Sequence, residues 1–446
     1  MSDLLDLSSR IIDSGETDQP VNRVTNELSE LDEGVAIVES FSHSVVVDTG
    51  EGLIAFDASG GRSGRDVAAA IAAWSPEPVR HLVYTHGHSD HVGGSREFAA
   101  RWGSPLVVGH RRVAERLARY RATNDWNIRI NVRQFGGIAA DLQLGMSPGE
   151  DSSPAGDGSA WSSFIPTGTL EPELVVDDHH RLTIGDTTIE LIHDRGETDD
   201  HLWAWLPERR AVVTGDFLIW NFPNAGNPQK VQRYPGEWAA ALRSMAAREP
   251  ELLLPAHGLP IVGRDRIARV LDEVAGALEG LVTQVVNAMN AGATLNDIVH
   301  SVAVDADTLA KPYLRPLYDE PEFVIRNIWR LYGGWWDGAA SRLKPARDVD
   351  LASAIAELAG GPSVLMATAE QRVADGDMRV ACHLADLAGW SAPDDPEIHS
   401  RRAEIYLRRR KVETSLMSKG IFAAAAREST AVVDAASTSQ ADEHQG

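Results

Sequence analysis

Apolar positions along this chain follow two rhythms. From Gly34 the first is one of short apolar runs, at residues 35–38, 44–47 and 53–56, separated by polar breaks. Runs of that length between turn formers predict buried strands. Asp48-Thr49-Gly50-Glu51-Gly52 joins the second run to the third, and an aspartate with two glycines suits a tight hairpin connection. A helical period covers 65–74 and an apolar run 79–84 follows. Helices are predicted over 95–101 and 111–121, two strands ahead of Glu197, and two more ahead of Asp216. Residues 145–172, rich in Gly, Ser and Pro, carry little period and are expected to be a lid or a disordered insert. Residues 221–235, with several amides, are expected to form an irregular loop over whatever site Asp216 serves.

Past Gly263 the rhythm becomes helical, over 267–291, 294–302 and 321–332, with Thr294 a plausible N-cap. Val324, Ile328, Leu331 and Trp335 share one helical face, which its own domain or a second chain must cover. From 350 to 428 helical periods recur, broken at Gly360-Gly361, Gly376 and Pro393; short antiparallel pairs of this kind resemble a tetratricopeptide arrangement without a clear 34-residue period. Residues 1–35 are polar and acidic, expected to drape over another surface or stay mobile, and 429–446 read as a disordered tail. The expected organisation is an N-terminal extension (1–35), an α/β domain (36–263), a helical domain (264–428) and the tail (429–446).

A length of 446 residues allows two or three domains, and 43% hydrophobic with 24% charged content is that of a soluble globular protein. The net charge of −23, from 65 acidic and 42 basic residues, disfavours nucleic acid or an anionic membrane as partner. An anionic substrate would need a local positive field. The single cysteine, Cys382, excludes an internal disulfide and a cysteine-rich metal site. No run approaches 18 apolar residues and the start has no basic region, so neither a membrane span nor a secretory signal is expected, and cytoplasmic residence is.

The chemistry concentrates after the run at 81–84. His86, His88, Asp90 and His91 stand in T-H-G-H-S-D-H-V-G-G, placing three imidazoles and a carboxylate within six residues. Imidazole nitrogen and carboxylate oxygen suit zinc and neighbouring transition metals. Gly87 allows a tight loop, and Gly93-Gly94 let a helix start close behind it.

The H-x-H-x-D-H run resembles the signature of the metallo-β-lactamase superfamily of dinuclear metal hydrolases. Three later stretches agree in order: H-D-R-G-E-T at 193–198, where Glu197 takes the place usually held by histidine; V-V-T-G-D at 212–216, ending in Asp216; and L-L-L-P-A-H-G at 252–258, with His257. Glutamate at 197 is similar to the alkyl sulfatase branch. So are Y-G-G-W-W-D-G at 332–338 with L-K-P at 343–345, which resemble that branch's helical dimerisation domain, and N-V-R-Q-F-G at 131–136, which resembles its substrate-side insertion. The resemblance covers residues 36–425. Asp216 stands where glutamate is expected, and no sterol-carrier-like domain follows, so shorter or more polar substrates are expected.

The resemblance implies an α/β fold, a metallo-β-lactamase αββα sandwich followed by an all-α domain, which the β-β-β-α-β opening fits. It implies two divalent metal ions, expected to be zinc, the first on His86, His88 and Glu197, the second on Asp90, His91 and His257, with Asp216 between them. A hydroxide bridging the ions would be the nucleophile, oriented by the catalytic carboxylates Asp90 and Asp216. The implied substrate is a small anionic ester, an alkyl sulfate; another ester, thioester or lactone is the alternative, and iron oxygenase chemistry or a non-enzymatic scaffold are more distant readings. Asn131, Arg133 and Arg233, on the two irregular segments, are expected to bind the sulfate. Asp57 is either an orienting partner for an imidazole or a turn former, His193 and His201 flank Glu197 as further orienting candidates, and Asp199 and Asp200 are expected to cap the loop. Trp335 and Trp336 are expected in a core or interface, and a homodimer through the helical region is implied.

Overall fold

The computed structural model describes residues 3–135 and 163–443, so most of the expected insert at 145–172 lies outside the described residues. Within that range contacts group the chain into one unit of residues 3–130 and 163–335 and another of 131–135 and 336–443.

The first unit is built on two sheets. The larger holds, in spatial order, β1 (Leu28–Asp32), β2 (Val35–Val38), β3 (Ser44–Asp48), β4 (Leu53–Phe56), β5 (Val79–Val83), β6 (Leu106–His110) and β7 (Leu174–Val176). β1 to β4 pair antiparallel and β4 to β7 parallel. The smaller sheet contains β8 (His179–Ile184), β9 (Thr187–His193), β10 (Leu202–Leu206), β11 (Ala211–Gly215), β12 (Leu252–Pro255) and β13 (Ile261–Val262), ordered from β13 to β8. Among the described residues its only parallel pair is β11 with β12.

Sequence alternation decides which side chain faces which layer. Val45 and Val47 of β3, with Ile54 and Phe56 of β4, join a core shared with Leu191, Leu202 and Leu253 of the smaller sheet. Val46, Leu53 and Ala55 point the other way, against Val67 and Ile71 of helix Gly64–Trp74 and Phe98 of helix Ser95–Trp102. Burying one such side chain stabilises by roughly 1.5–3 kcal/mol, so a one-residue slip of β3 would forfeit several of these at once. Helices Pro235–Ala246 and Arg264–Asn290 supply Trp238, Leu242, Ile267 and Leu271 to the core of the smaller sheet. The result is the expected αββα layering, followed by a helical region.

Several expectations are corrected. The N-terminal stretch is not merely a polar extension: Asp3–Ser14 is a helix that buries Leu4, Leu5, Ile11 and Ile12 in the main core. The first unit continues past Gly263, through helix Leu295–Ser301, capped by Thr294 as expected, to helix Pro321–Gly333. Val324 and Ile328 of the expected apolar face are therefore covered by their own unit, whereas Trp335 is 69% exposed. The second unit stacks helices Asp348–Ala359, Pro362–Ala374, Met378–Ser391, Pro396–Val412 and Leu416–Glu443, with breaks where glycine and proline predict them. Alanines 369, 381, 385 and 388 let these helices approach closely. The last helix runs through most of the expected tail. Alanine is the strongest helix former, and Ala423, Ala424, Ala426 and Ser429 are buried.

Candidate metal centre

Four loops leave the two sheets at one edge. β5 ends at Val83, and the chain turns through His86-Gly87-His88 into the short helix Ser89–Val92, which carries Asp90 and His91. The turn needs glycine behind it: a Cβ on Gly94 would lie 2.1 Å from the Ala58 carbonyl oxygen. β11 and β12 are parallel neighbours, so Asp216 and His257, each just past its strand, emerge side by side. β9 lies two antiparallel steps from β11 and runs in the same sense, delivering the loop with Glu197 to the same edge.

The seven residues converge. Ligand-type atoms of His86, His88, Glu197 and Asp216 lie within 4.8 Å of one another, and those of Asp90, His91 and His257 form a second such group. His86 Nε2 and His88 Nδ1 are 2.9 Å apart. Asp216 faces both groups: its Oδ2 is 3.8 Å from His86 Nε2, while its Oδ1 is 3.4 Å from His91 Nε2 and 3.5 Å from His257 Nε2. Asp90 Oδ2 lies 3.5 Å from each of the same two imidazole nitrogens, and His88 Nδ1 is 3.7 Å from Glu197 Oε1. Zinc bonds of about 2.0–2.1 Å put tetrahedral ligand atoms roughly 3.3 Å apart. The observed separations are near that edge length and beyond direct hydrogen bonding for most pairs. His91 Nε2 and Asp216 Oδ1 are buried without a hydrogen-bond partner, the state of atoms directed at an ion. The donor set therefore fits two divalent ions.

Burial and neighbouring charge set the protonation of the pocket's groups. Burial holds His86 and His88 well below the usual imidazole range, and the Arg116 guanidinium adds to this, which keeps both rings neutral, the form that can hold a metal. Burial also opposes charge on His91, but Asp216, Asp90 and Asp57 outweigh it and hold its pKa well above the usual value. Burial pushes Glu197 upward against the pull of Arg233.

Outer partners fix these side chains. Asp57, in the left-handed region at φ 62°, accepts from Thr85 N at 2.8 Å and Thr85 Oγ1 at 2.7 Å, and its Oδ2 lies 2.7 Å from His91 Nδ1. It is thus both of the things its sequence context allowed, turn former and orienting carboxylate. Burial lowers His201 to about 3, and its Nε2 accepts the Asp216 backbone N–H at 3.2 Å. His193 instead stacks on His110, with ring centroids 3.9 Å apart, and meets the Asp199 carbonyl. Asp200 does more than cap its loop: it is fully buried, paired with Arg116, and takes the Gly87 N–H.

The three residues expected to bind substrate part company. Arg233 reaches the cluster, but it is 2% exposed and its Nη1 is engaged by Glu197 Oε1 and by the Glu197 carbonyl at 3.3 Å. Asn131 and Arg133 do not lie on an irregular segment: helix Asn124–Phe135 carries them, and they group with the second unit. Asn224, unnamed by sequence reasoning, donates to Glu197 Oε1 at 2.5 Å. The amide-rich loop around it was the available signal. Asn327 of helix Pro321–Gly333 ties that loop down, donating to the carbonyls of Ala225 and Arg233 at 2.9 Å each.

Comparison with known proteins agrees with this architecture. Residues 37–257 match the metallo-β-lactamase superfamily and residues 294–431 match alkyl sulfatase dimerisation. A linear primary-alkylsulfatase of Pseudomonas sp. (strain ATCC 19151) is 25% identical over 388 residues, 83% of this chain and 69% of the relative. An alkyl/aryl-sulfatase of Saccharomyces cerevisiae is 22% identical over 341 residues, 73% of this chain and 51% of the relative. The solved structure of the stereoselective inverting sec-alkylsulfatase Pisa1 from Pseudomonas sp. superposes with a TM-score of 0.79 at 20% identity, covering 91% of this chain and 65% of that one. This chain thus spans between half and about two thirds of the length of these relatives. Two matched regions in this order, on an αββα sandwich with a helical continuation, place the chain in the metallo-β-lactamase superfamily, in its alkyl sulfatase branch.

Proposed function

We propose that this chain is a dinuclear metal hydrolase that cleaves alkyl sulfate esters to an alcohol and sulfate. The observation that carries the reading is Asp216, whose two carboxylate oxygens face the two separate ligand groups. In this reading His86, His88 and Glu197 hold one ion, Asp90, His91 and His257 the other, and Asp216 both. Zinc is proposed, because four of the seven groups are imidazoles. Such ions supply Lewis acidity, which brings the pKa of water from about 15.7 toward 7. The chain's own contribution is to aim the proton acceptors: Asp90 Oδ2 and Asp216 Oδ1 both face the side of His91 and His257. Arg233, and Lys230 with its ammonium 5.6 Å from the centre of the Phe164 ring, bring positive charge to a chain that is otherwise strongly acidic. That charge suits a sulfate monoanion. Burial lowers Lys230 to about 8, so it is still largely protonated at neutral pH.

The chain is proposed to work as a homodimer. Support comes from the match at 294–431 and from large apolar side chains left on the surface, Trp335, Tyr332 and Leu358 among them. Metal analysis with a substrate panel tests the function. The expected result is two zinc ions per chain and sulfate release from alkyl sulfates, faster than hydrolysis of thioesters, lactones or carboxylic esters. Metal loading without sulfate release, together with turnover of one of the other esters, would overturn the substrate assignment.

A further inference from the structure

Beneath the H-x-H turn lies a buried ion pair that none of the proposed ligands requires for itself. Asp200 is 0% and Arg116 2% exposed. One oxygen, Asp200 Oδ2, accepts both Arg116 Nε at 2.8 Å and the backbone N–H of Gly87 at 3.1 Å. Gly87 is the single residue between His86 and His88. It is seated tightly: a Cβ there would come within 3.0 Å of Asp200 Oδ2 and 3.0 Å of Arg116 Cδ. Arg116 is fixed in turn by Asp199 through its Nη2, and Asp199 by Arg112 at 2.9 Å. The next residues extend the connection, since Leu202 N donates to the Thr85 carbonyl at 2.6 Å.

An isolated buried ion pair is a poor source of stability, because desolvation consumes most of the attraction. This one spends a carboxylate lone pair on a backbone N–H between two ligand-type histidines. We infer that Arg116 and Asp200 are positioning residues that set the affinity of the first metal site, through the peptide linking His86 to His88, and leave the second site untouched. The second set has a support of its own, Asp57, whose Oδ2 lies 2.7 Å from His91 Nδ1. The two ions would then be tuned by separate devices, and one could be weakened without the other. This inference rests on the ligand assignment proposed above. Loss of an outer partner of this kind typically costs about 10–100-fold in metal affinity.

Zinc titration against a competing chromophoric chelator tests it in two single-site backgrounds. His257→Ala removes the second site and His88→Ala the first. Asp200→Asn is expected to weaken zinc by about 10–100-fold in the His257→Ala background and by less than twofold in the His88→Ala background. Arg116→Lys keeps the charge but not the planar fork, and is expected to fall between Asp200→Asn and the parent; it also serves if Asp200→Asn fails to fold. Equal weakening in both backgrounds would show a general structural role and overturn the inference, as would no weakening in either. Parents that do not each bind one zinc would instead defeat the ligand assignment. Circular dichroism of the metal-free proteins gives the fold independently.

Discussion

Asp57→Gly separates the two roles that this aspartate combines. At φ 62° an aspartate carries backbone strain that glycine does not. If the turn were all that mattered, the substitution would be neutral or stabilising by up to about 1 kcal/mol. The carboxylate, however, takes three hydrogen bonds in a site 1% exposed. Removing it strands the buried Thr85 N–H, at about 1–3 kcal/mol, and a charge-assisted bond to His91 of about 1.5–3 kcal/mol. The Thr85 hydroxyl can turn to other acceptors, His86 Nδ1 at 3.1 Å among them, and is left out of the sum. After the backbone gain, a net loss of about 1.5–6 kcal/mol is expected, read by urea unfolding of the metal-free protein. With His91 no longer held in one orientation, the ion on Asp90, His91 and His257 should bind about 10–100-fold more weakly by chelator competition. A variant as stable as the parent, with unchanged zinc affinity, would refute the reasoning and leave Asp57 a turn residue only.

Other substitutions address other parts of the site. Asp216→Asn should abolish turnover and reduce bound zinc while the fold survives, because one carboxylate faces both groups; two zinc ions with full activity would rule this out. Glu197→His should leave the Arg233 guanidinium buried without its carboxylate, costing about 3–5 kcal/mol in denaturant unfolding, and should shift metal preference toward zinc over manganese. Gly258→Ala sets a Cβ 2.3 Å from Trp220 Cδ1 at φ 88°, and should destabilise by roughly 2–4 kcal/mol and loosen the His257 loop, seen as loss of one zinc of two. Light scattering should give about twice 48.3 kDa for the full chain, and Trp335→Asp should lower that mass without changing the circular dichroism spectrum.

What was legible in the sequence follows from how far apart the interacting groups lie along the chain. His86, His88, Asp90 and His91 sit within one turn and announce themselves. Glu197, Asp216 and His257 were readable because each lies within a few residues of the end of a strand whose apolar run marks it, and because they appear in a familiar order. Arg116 gave no signal. It is one of several arginines on helix Arg112–Ala122, and only the packing of that helix turns this one inward to a carboxylate 84 residues away. Asn327 reaches 102 residues back to Ala225, and no local pattern records that.

The misreadings share a different cause, which is reading polarity as disorder. Residues 3–14 carry four buried aliphatic side chains, but the aspartates and serines between them masked the period. Residues 124–135 are polar around most of the helix, yet Ile128 and Ile130 pack inward and Asn127 bonds back to Thr123. The C-terminal helix is held by alanines, which count for little in a hydrophobicity pattern and much in close helix packing. In each case a small number of apolar contacts was enough, because neighbouring elements were already in place to receive them. The same logic applies to the metal site, where Asp200 and Asn224 are polar residues whose roles become visible only once the fold has buried them beside the cluster. Residues that bind an ion must be of a few chemical types, so sequence can nominate them. Residues that aim those ligands need only be within reach, and reach is a property of the folded chain.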